Sequence, residues 1–178
     1  MSTMNKTQEK IASALETAFA QHGFAKQGVD ALKEATGVSL RTLYKYCPSK
    51  EAMIITALEY RHTRYLNTIF NSLNDSDSPK AEHIFNQIEF WMSEYAPSGC
   101  LFHNAVAAYP NSEALSRLLA RHKFEVATNL AQALNLKGYE DELLLIHEGL
   151  MQSWPLLGNK ALLVANKLVS EYLEDRSP

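Results

Sequence analysis

A cluster of polar side chains lies in the segment GVSLRTLYKYCPSK, residues 37–50. An arginine in such a cluster can form two parallel hydrogen bonds with guanine, to O6 and N7 in the DNA major groove. Tyrosine and threonine hydroxyl groups and lysine ammonium groups can bind phosphate oxygens. The segment therefore predicts a DNA-binding surface formed by Ser39, Leu40, Arg41, Thr42, Tyr44, Lys45, Tyr46 and Lys50.

The residues around this cluster predict a helix, a tight turn and a second helix. Gly37 can adopt the left-handed conformation that such a turn needs, and Ser39 is a typical helix N-cap. Pro48 ends the second helix, and Lys50 begins the next one, where the exposed N–H groups attract an anion such as phosphate. In a helix-turn-helix the second helix enters the major groove. The same pattern also occurs in all-α proteins whose charged faces are simply solvated.

Hydrophobic periodicity predicts an all-α fold of nine helices, because apolar residues recur at three- and four-residue spacing along the chain. Glycine and proline mark most of the helix ends. The first helix is predicted to end at Gly23, the second before Gly37, the third at Pro48, the fourth near Phe70, the fifth at Pro97, the sixth at Pro110, the seventh at Gly138 and the eighth near Pro155 or Gly158; Asn111 or Ser112 caps the seventh, and Asn159 caps the ninth. The polar segment 71–79 reads as a linker or a helix–helix connection.

Composition indicates a cytoplasmic protein. The 178 residues are 46% apolar, with no apolar run long enough to span a membrane and no apolar leader segment at the start. The two cysteines, Cys47 and Cys100, are far apart, as expected for free thiols. Residues 1–64 carry nine basic and six acidic side chains, whereas the rest carries eight and fourteen. This asymmetry fits a polyanion partner at the N-terminal end.

Catalysis is not expected, because none of the common catalytic or metal-binding motifs is present, and we predict no cofactor and no metal site. Cys100 lies near the start of the sixth predicted helix, which leaves open a thiol-based redox sensor as well as an inert buried cysteine.

The segments IASALETAFAQHGF and GVSLRTLYKYCPSKEAM resemble the N-terminal domain of the TetR family of bacterial transcriptional repressors. The resemblance covers about residues 8–60, and the remainder looks more loosely like the helical body of that family. It implies a DNA-binding domain at 1–50 and a ligand-binding and dimerisation domain at 51–178. It further implies a homodimer, paired through the last two helices, that binds a pseudo-palindromic operator in double-stranded DNA and is released by an unidentified small molecule.

Three features of the sequence, at four positions, depart from the family pattern. Cys47 replaces a phenylalanine, Lys33 replaces an alanine, and Gln27-Gly28 replaces a threonine or serine pair that begins the second helix. A helical protein–protein adaptor that has lost DNA binding is therefore an alternative function.

Large side chains in the C-terminal part could line an apolar pocket with a few polar groups. Residues of these types at helical spacing are also common in ordinary cores, and a histidine on an apolar face is often a hydrogen-bonded core residue. The predicted ligand-binding residues are Ile88, Trp91, Met92, Tyr95, Phe102, His103, His147 and Met151.

Overall fold

The computed structural model describes residues 4–71, 73 and 80–174. These residues form nine helices and no strand, so the predicted all-α fold is confirmed. The helices are α1 (Lys6–His22), α2 (Val29–Thr36), α3 (Leu40–Tyr46), α4 (Lys50–Phe70), α5 (Lys80–Tyr95), α6 (Leu101–Ala108), α7 (Glu113–Ala133), α8 (Glu140–Leu157) and α9 (Asn159–Glu174). Most of the predicted linker 71–79 lies outside the described residues.

Hydrogen bonds at the helix ends explain where several helices begin. Asn5 caps α1, and its side-chain oxygen accepts hydrogen bonds from the N–H groups of Thr7 and Gln8, each at 3.0 Å. Ser112 caps α7 by accepting from the Leu115 N–H at 3.2 Å. Of the two predicted caps for α7, the structure therefore uses the serine.

One predicted helix end and one predicted helix cap in the C-terminal part differ from the structure. The seventh helix ends at Ala133, well before Gly138, because Asn135 adopts a left-handed conformation with φ of 57°. Pro155 lies in the last turn of α8, which ends at Leu157 with Gly158 as its C-cap, so this helix ends within the predicted range. Asn159 is already the first residue of α9, and its side-chain amide donates to Glu89 Oε1 at 2.7 Å.

The chain folds into two compact units. The first unit extends to Arg64 and also contains Leu101–Leu119, while the second contains Tyr65–Cys100 and continues from Ala120. Both α4 and α7 therefore contribute residues to both units. The functional boundary near residue 50 stays a prediction.

Each unit has a buried apolar core. In the first unit, Ile11, Leu15 and Phe19 of α1 are fully buried, as are Leu32 of α2 and Leu43 of α3. The core of the second unit joins α5, α7, α8 and α9 with the end of α4. None of the helices in the described part of the chain is long and apolar enough to cross a membrane.

Candidate nucleic-acid interface and buried cavity

The turn between α2 and α3 depends on Gly37. Its φ of 61° and ψ of 28° lie in the left-handed region, where a side chain would be strained. From this position its N–H donates to the carbonyl oxygens of Lys33 and Glu34, each at 3.1 Å. These hydrogen bonds satisfy two carbonyl groups at the end of α2, and the left-handed conformation of Gly37 leads the chain into α3.

Ser39 and Thr42 fix the start of α3. The Ser39 hydroxyl accepts a hydrogen bond from the Thr42 N–H at 3.1 Å, and the two hydroxyl oxygens lie 2.8 Å apart. Both residues were predicted to contact DNA. Both hydroxyl groups already bond within the chain, and the Ser39 hydroxyl caps the helix.

The two faces of α3 differ sharply. Leu43 is fully buried in the first unit, and Cys47, just after the helix, is buried as well. Arg41, Tyr44 and Lys45 are exposed. The structure therefore holds the predicted base-reading and phosphate-binding side chains on the solvent face of an anchored helix.

The remaining predicted DNA contacts on α3 differ in exposure. Leu40 is exposed, whereas Thr42 and Tyr46 are half-buried. The Lys45 ammonium lies 5.5 Å from the centre of the Tyr46 ring.

Lys50 begins α4 beside an aromatic ring that the sequence gave no reason to expect. Its ammonium lies 5.8 Å from the centre of the Tyr109 ring, at cation–π distance. The Tyr109 hydroxyl donates to the Phe24 carbonyl at 3.4 Å, which holds the ring in place. Ser49 caps α4 by accepting from the Ala52 N–H at 3.0 Å. Lys50 is half-buried at this helix start.

The three departures from the family pattern are accommodated locally. Cys47 fits without exposure, and its thiol donates to the Thr56 hydroxyl at 3.4 Å. Burial raises the pKa of the Cys47 thiol, while this hydrogen bond partly opposes the shift. Lys33 is half-buried in the last turn of α2, where a cation interacts favourably with the helix dipole. Gly28 is the N-cap of α2 and makes no side-chain hydrogen bond.

A buried ionic cluster links α1 to α4 within the first unit. Glu16 Oε1 lies 2.8 Å from Arg61, and Glu16 Oε2 lies 2.6 Å from Arg64. The side chains of Glu16 and Arg61 are 3% and 5% exposed, so this is a buried pair. The sequence carried a signal for it, because Glu16 follows Ala12 and Leu15 on the apolar stripe of α1, where a lone carboxylate needs a partner.

The predicted ligand-binding residues are divided between the two units. Phe102 is buried and His103 half-buried in the first unit, while the others belong to the second unit. Trp91, Met92 and Met151 are buried in the core of the second unit. Tyr95 is 38% exposed and packs against Trp91, with ring centres 5.0 Å apart.

An apolar cavity of about 20 Å³ lies within the second unit, bounded by α5, α7, α8 and α9. Two of the predicted ligand-binding residues, Ile88 and His147, line it, and the other six do not. His147 is the one polar residue in the lining: Phe85, Ile88, Leu130, Leu134, Leu143, Ile146, His147, Leu150, Ala165 and Val169.

Polar groups on both sides of the His147 ring form a buried chain. The Tyr65 hydroxyl lies 2.7 Å from His147 Nε2, and Glu148 Oε1 lies 3.5 Å from His147 Nδ1. Burial lowers the pKa of His147, and nearby Lys123 lowers it further, while Glu148 acts in the opposite direction. The ring is therefore neutral near pH 7.

The chain continues from Glu148 to Cys100. The Lys123 ammonium lies 2.6 Å from Glu148 Oε1 and donates to the Cys100 sulfur at 3.3 Å. Sequence reasoning had singled out Cys100 and His147 separately. It missed Lys123, because no periodicity reveals a lysine buried against residues from other helices.

Comparisons with known proteins identify the domain that carries α2 and α3. Residues 11–57 match the family model of bacterial regulatory proteins, tetR family. This N-terminal domain belongs to the TetR family. The resemblance seen in the sequence is thus confirmed, and the helix-turn-helix of this TetR-family domain consists of α2, Gly37 and α3.

A curated relative and several solved structures are similar to the chain. YuxN of Bacillus subtilis (strain 168), an uncharacterized HTH-type transcriptional regulator, is 32% identical over 78 residues, which are 42% of this chain. The match spans 27% of that relative's length.

The structural matches extend over nearly the whole chain. SCO4454 of Streptomyces coelicolor, a TetR-family transcriptional regulator, has a TM-score of 0.80 at 19% identity, covering 97% of this chain and 96% of its own. NemR of E. coli, in its reduced form, has a TM-score of 0.76 at 20% identity, with coverages of 94% and 96%. At these identities the likeness establishes the fold alone.

Proposed function

We propose that this protein is a transcriptional regulator that binds double-stranded DNA as a homodimer, represses transcription and is released by a small-molecule effector. One observation carries the proposal: Arg41, Tyr44 and Lys45 project into solvent from a helix that Leu43 anchors in the core. A helix held in this way can enter a major groove with its polar groups already in position.

Pairing through α8 and α9 is proposed for the dimer. Leu145 on α8 is 75% exposed, and Val164 on α9 is 58% exposed. They border an apolar groove of about 310 Å³ that α8 and α9 form in the second unit. A two-fold axis through this face would bury the groove against a copy of itself and supply the second recognition helix for a pseudo-palindromic operator.

The effector is proposed to bind the second unit, with the cavity beside Ile88 and His147 as its starting point. α4 contributes residues to both units. A conformational change in the second unit could therefore be transmitted along α4 to the first unit, which contains the recognition helix α3. An effector lowers the affinity for DNA only to the extent that it binds the conformation that cannot bind DNA more tightly than the conformation that can.

The test is selection of bound sequences from random double-stranded DNA at physiological salt. We expect one recurrent palindromic site, whose affinity and base preference are then measured for Arg41→Ala. Losing two hydrogen bonds to guanine should cost about 1–3 kcal/mol and relax preference at one base position in each half-site. Failure to enrich any sequence would favour the adaptor alternative.

Lys50→Ala provides a second, independent test of DNA contact. If Lys50 binds a phosphate, its loss should weaken all DNA sequences about equally and lower the salt slope by about 1. Lys160→Ala on α9, in the second unit, is the control and should leave the slope unchanged. Equal slopes for Lys50→Ala and the wild type would contradict the phosphate role.

A thiol switch at Cys100 is a second candidate function, favoured by the Lys123 ammonium 3.3 Å from its sulfur. Hydrogen peroxide would oxidise the thiol to a sulfenic acid: one peroxide oxygen bonds to the sulfur as the O–O bond breaks, and the other oxygen leaves as water. Peptide mass analysis after peroxide treatment should then find Cys100 modified before Cys47, the internal control whose thiol pKa is raised by burial. Equal resistance of both cysteines would exclude the switch.

A further inference from the structure

A cation from α1 lies over the turn between α2 and α3. Lys10 is exposed, and its ammonium nitrogen lies 3.5 Å from the position that a Cβ atom on Gly37 would occupy. Within the described residues, Lys10 makes no hydrogen bond and no ion pair. Both residues belong to the first unit. α1 therefore brings a charge to the helix-turn-helix from outside the motif itself.

The end of α2 does not need this cation as a cap. A lysine near the end of a helix often bonds to its last carbonyl groups. Here the Gly37 N–H already donates to the carbonyl oxygens of Lys33 and Glu34, each at 3.1 Å. The Thr36 hydroxyl also donates to the Lys33 carbonyl oxygen, at 2.9 Å. The three N–H donors of the Lys10 ammonium are therefore available to solvent or to a bound anion.

The Lys10 ammonium lies near the amino-terminal end of the recognition helix. Ser39, the N-cap of α3, follows Gly37 by two residues, and two residues span at most about 8 Å. Residues at this end of a recognition helix contact base edges when the helix enters the major groove. A cation beside this end is therefore close to the phosphate groups that border the groove.

The sequence around the recognition helix has no acid that would repel a phosphate. Residues 35–50 contain three basic side chains and neither aspartate nor glutamate. Glu51, the next residue, accepts a hydrogen bond from the Ser112 hydroxyl. Glu9 is adjacent to Lys10 on α1, and adjacent residues of a helix do not face each other. The charge of Lys10 therefore adds to a surface that attracts a polyanion.

Lys10 and Lys50 are associated with opposite ends of α3. Lys50 begins α4, four residues after Tyr46 ends α3, whereas Lys10 lies over the turn that precedes α3. The seven residues of α3 form a helix about 10 Å long, which is close to the width of about 12 Å of the major groove. Cations at the two ends of such a helix match two separate phosphates.

We propose that Lys10 binds a backbone phosphate of the operator at the amino-terminal end of α3, and that this phosphate is distinct from the one proposed for Lys50. The inference rests on the proposed function and adds a contact from α1, which lies outside the helix-turn-helix. Phosphate contacts fix the orientation of a protein on the duplex but do not read its sequence. Lys10 is therefore expected to orient α3 and to strengthen binding to all DNA sequences.

The charge is tested by measuring the affinity for the selected operator and for unrelated DNA at about 50–200 mM salt. Lys10→Met should weaken binding to both DNAs by the same factor and lower the salt slope by at least about 1, whereas Lys10→Arg should keep the slope of the wild type. Lys160→Met removes an ammonium from α9 in the second unit and should change neither quantity.

Lys10→Met should also keep the urea midpoint of the wild type, because Lys10 makes no hydrogen bond or ion pair within the described residues. A lower midpoint with an unchanged salt slope would assign Lys10 a structural role instead. An unchanged slope, with the wild type binding its operator, would overturn the inference and leave the proposed function intact. A wild type that binds no DNA would refute both.

The position is tested with operators in which single phosphates are replaced by neutral methylphosphonates. At one phosphate in each half-site, the replacement should weaken binding of the wild type but not of Lys10→Met, since the same ion pair cannot be lost twice. The same scan with Lys50→Ala should identify a different phosphate. Losses that add at every position for Lys10→Met would overturn the contact, and one phosphate shared by both lysines would overturn their separation along α3.

Discussion

At the scale of single residues, Glu16 shows how a buried charge, which is unfavourable by itself, can constrain the packing of two helices. It is a buried carboxylate on α1, and its two oxygens contact Arg61 and Arg64 of α4. Buried pairs of this kind add little net stability, but each partner left alone is costly. The pair therefore fixes the packing of α1 on α4 more than it strengthens the fold.

Glu16→Gln should lower the free energy of unfolding by about 3–5 kcal/mol, because it leaves a buried guanidinium without its counter-charge. Glu113→Gln is the matched control. Glu113 lies 2.9 Å from Arg117, but both side chains are largely exposed, at 85% and 73%. Its removal should cost less than about 1 kcal/mol. Urea denaturation of both variants measures the difference, and similar losses would contradict a special role for the buried pair.

His147 predicts how stability depends on pH. Its pKa in the folded protein is lowered by burial, with Lys123 adding to the shift and Glu148 opposing it. Below the unfolded value of about 6.5, the unfolded chain binds more protons than the folded one. The free energy of unfolding should therefore fall as pH drops below about 6.5, by at most about 1.4 kcal/mol per pH unit from this residue.

Denaturation curves of the wild type and His147→Phe between pH 5 and 8, an assay range of about three units around the histidine pKa, measure this contribution. When the free energy of unfolding is plotted against pH, the variant should have a smaller slope than the wild type below pH 6.5 and the same slope above pH 7. Identical slopes throughout would mean that His147 does not titrate differently in the two states.

At the scale of helices, α2 and α3 depend on the geometry of one glycine. Gly37→Ala should cost about 1–2 kcal/mol, because its φ of 61° is strained for a residue with a Cβ atom. Gly28→Ser is the contrasting change. Gly28 has φ of −77°, an added Cβ meets no atom within 4 Å, and a serine could cap α2.

Gly28→Ser should stabilise the protein by a few tenths to about 1 kcal/mol, through the new cap and the less flexible unfolded chain. Thermal denaturation followed by circular dichroism compares both variants. Stability changes of the same sign would show that backbone conformation does not determine the effect of replacing glycine at these two positions.

Most helix ends could be predicted from the sequence, because glycine, proline and capping residues affect the backbone only at neighbouring positions. Gly23, Gly37 and Pro48 each lie where a helix ends. The end of α7 was missed because Asn135, a residue that also occurs within helices, adopts the left-handed conformation there.

The exposed face of α3 could also be predicted, since Leu43 had to point inward. The partners of buried polar groups could not. Tyr65 bonds His147 across 82 positions, and Lys123 reaches Cys100 across 23, and such pairings depend on how helices pack rather than on local spacing. The cavity was missed for the same reason, because its lining comes from four helices.

At the scale of the whole molecule, the exposed apolar face of α8 and α9 determines the expected assembly. Val164→Glu places a charge in the groove and should raise the dimer dissociation constant at least about tenfold, since an unpaired charge at a buried interface is costly. Phe124→Glu is the control: Phe124 is 57% exposed, close to the 58% of Val164, but lies on α7.

Sedimentation equilibrium should find Phe124→Glu as dimeric as the wild type. Val164→Glu should also lose most of its affinity for the selected operator, because a monomer offers only one recognition helix. A dimeric Val164→Glu protein would place the pairing surface elsewhere.

The positions of the two tryptophans have a practical consequence. Trp91 and Trp154 are the chain's only tryptophans, and both are buried in the core of the second unit. Their intrinsic fluorescence therefore reports on one unit only, whereas far-ultraviolet circular dichroism records helix loss throughout. Superimposable melting curves from the two signals would mean that the units unfold cooperatively, and separate curves would give each unit its own melting temperature.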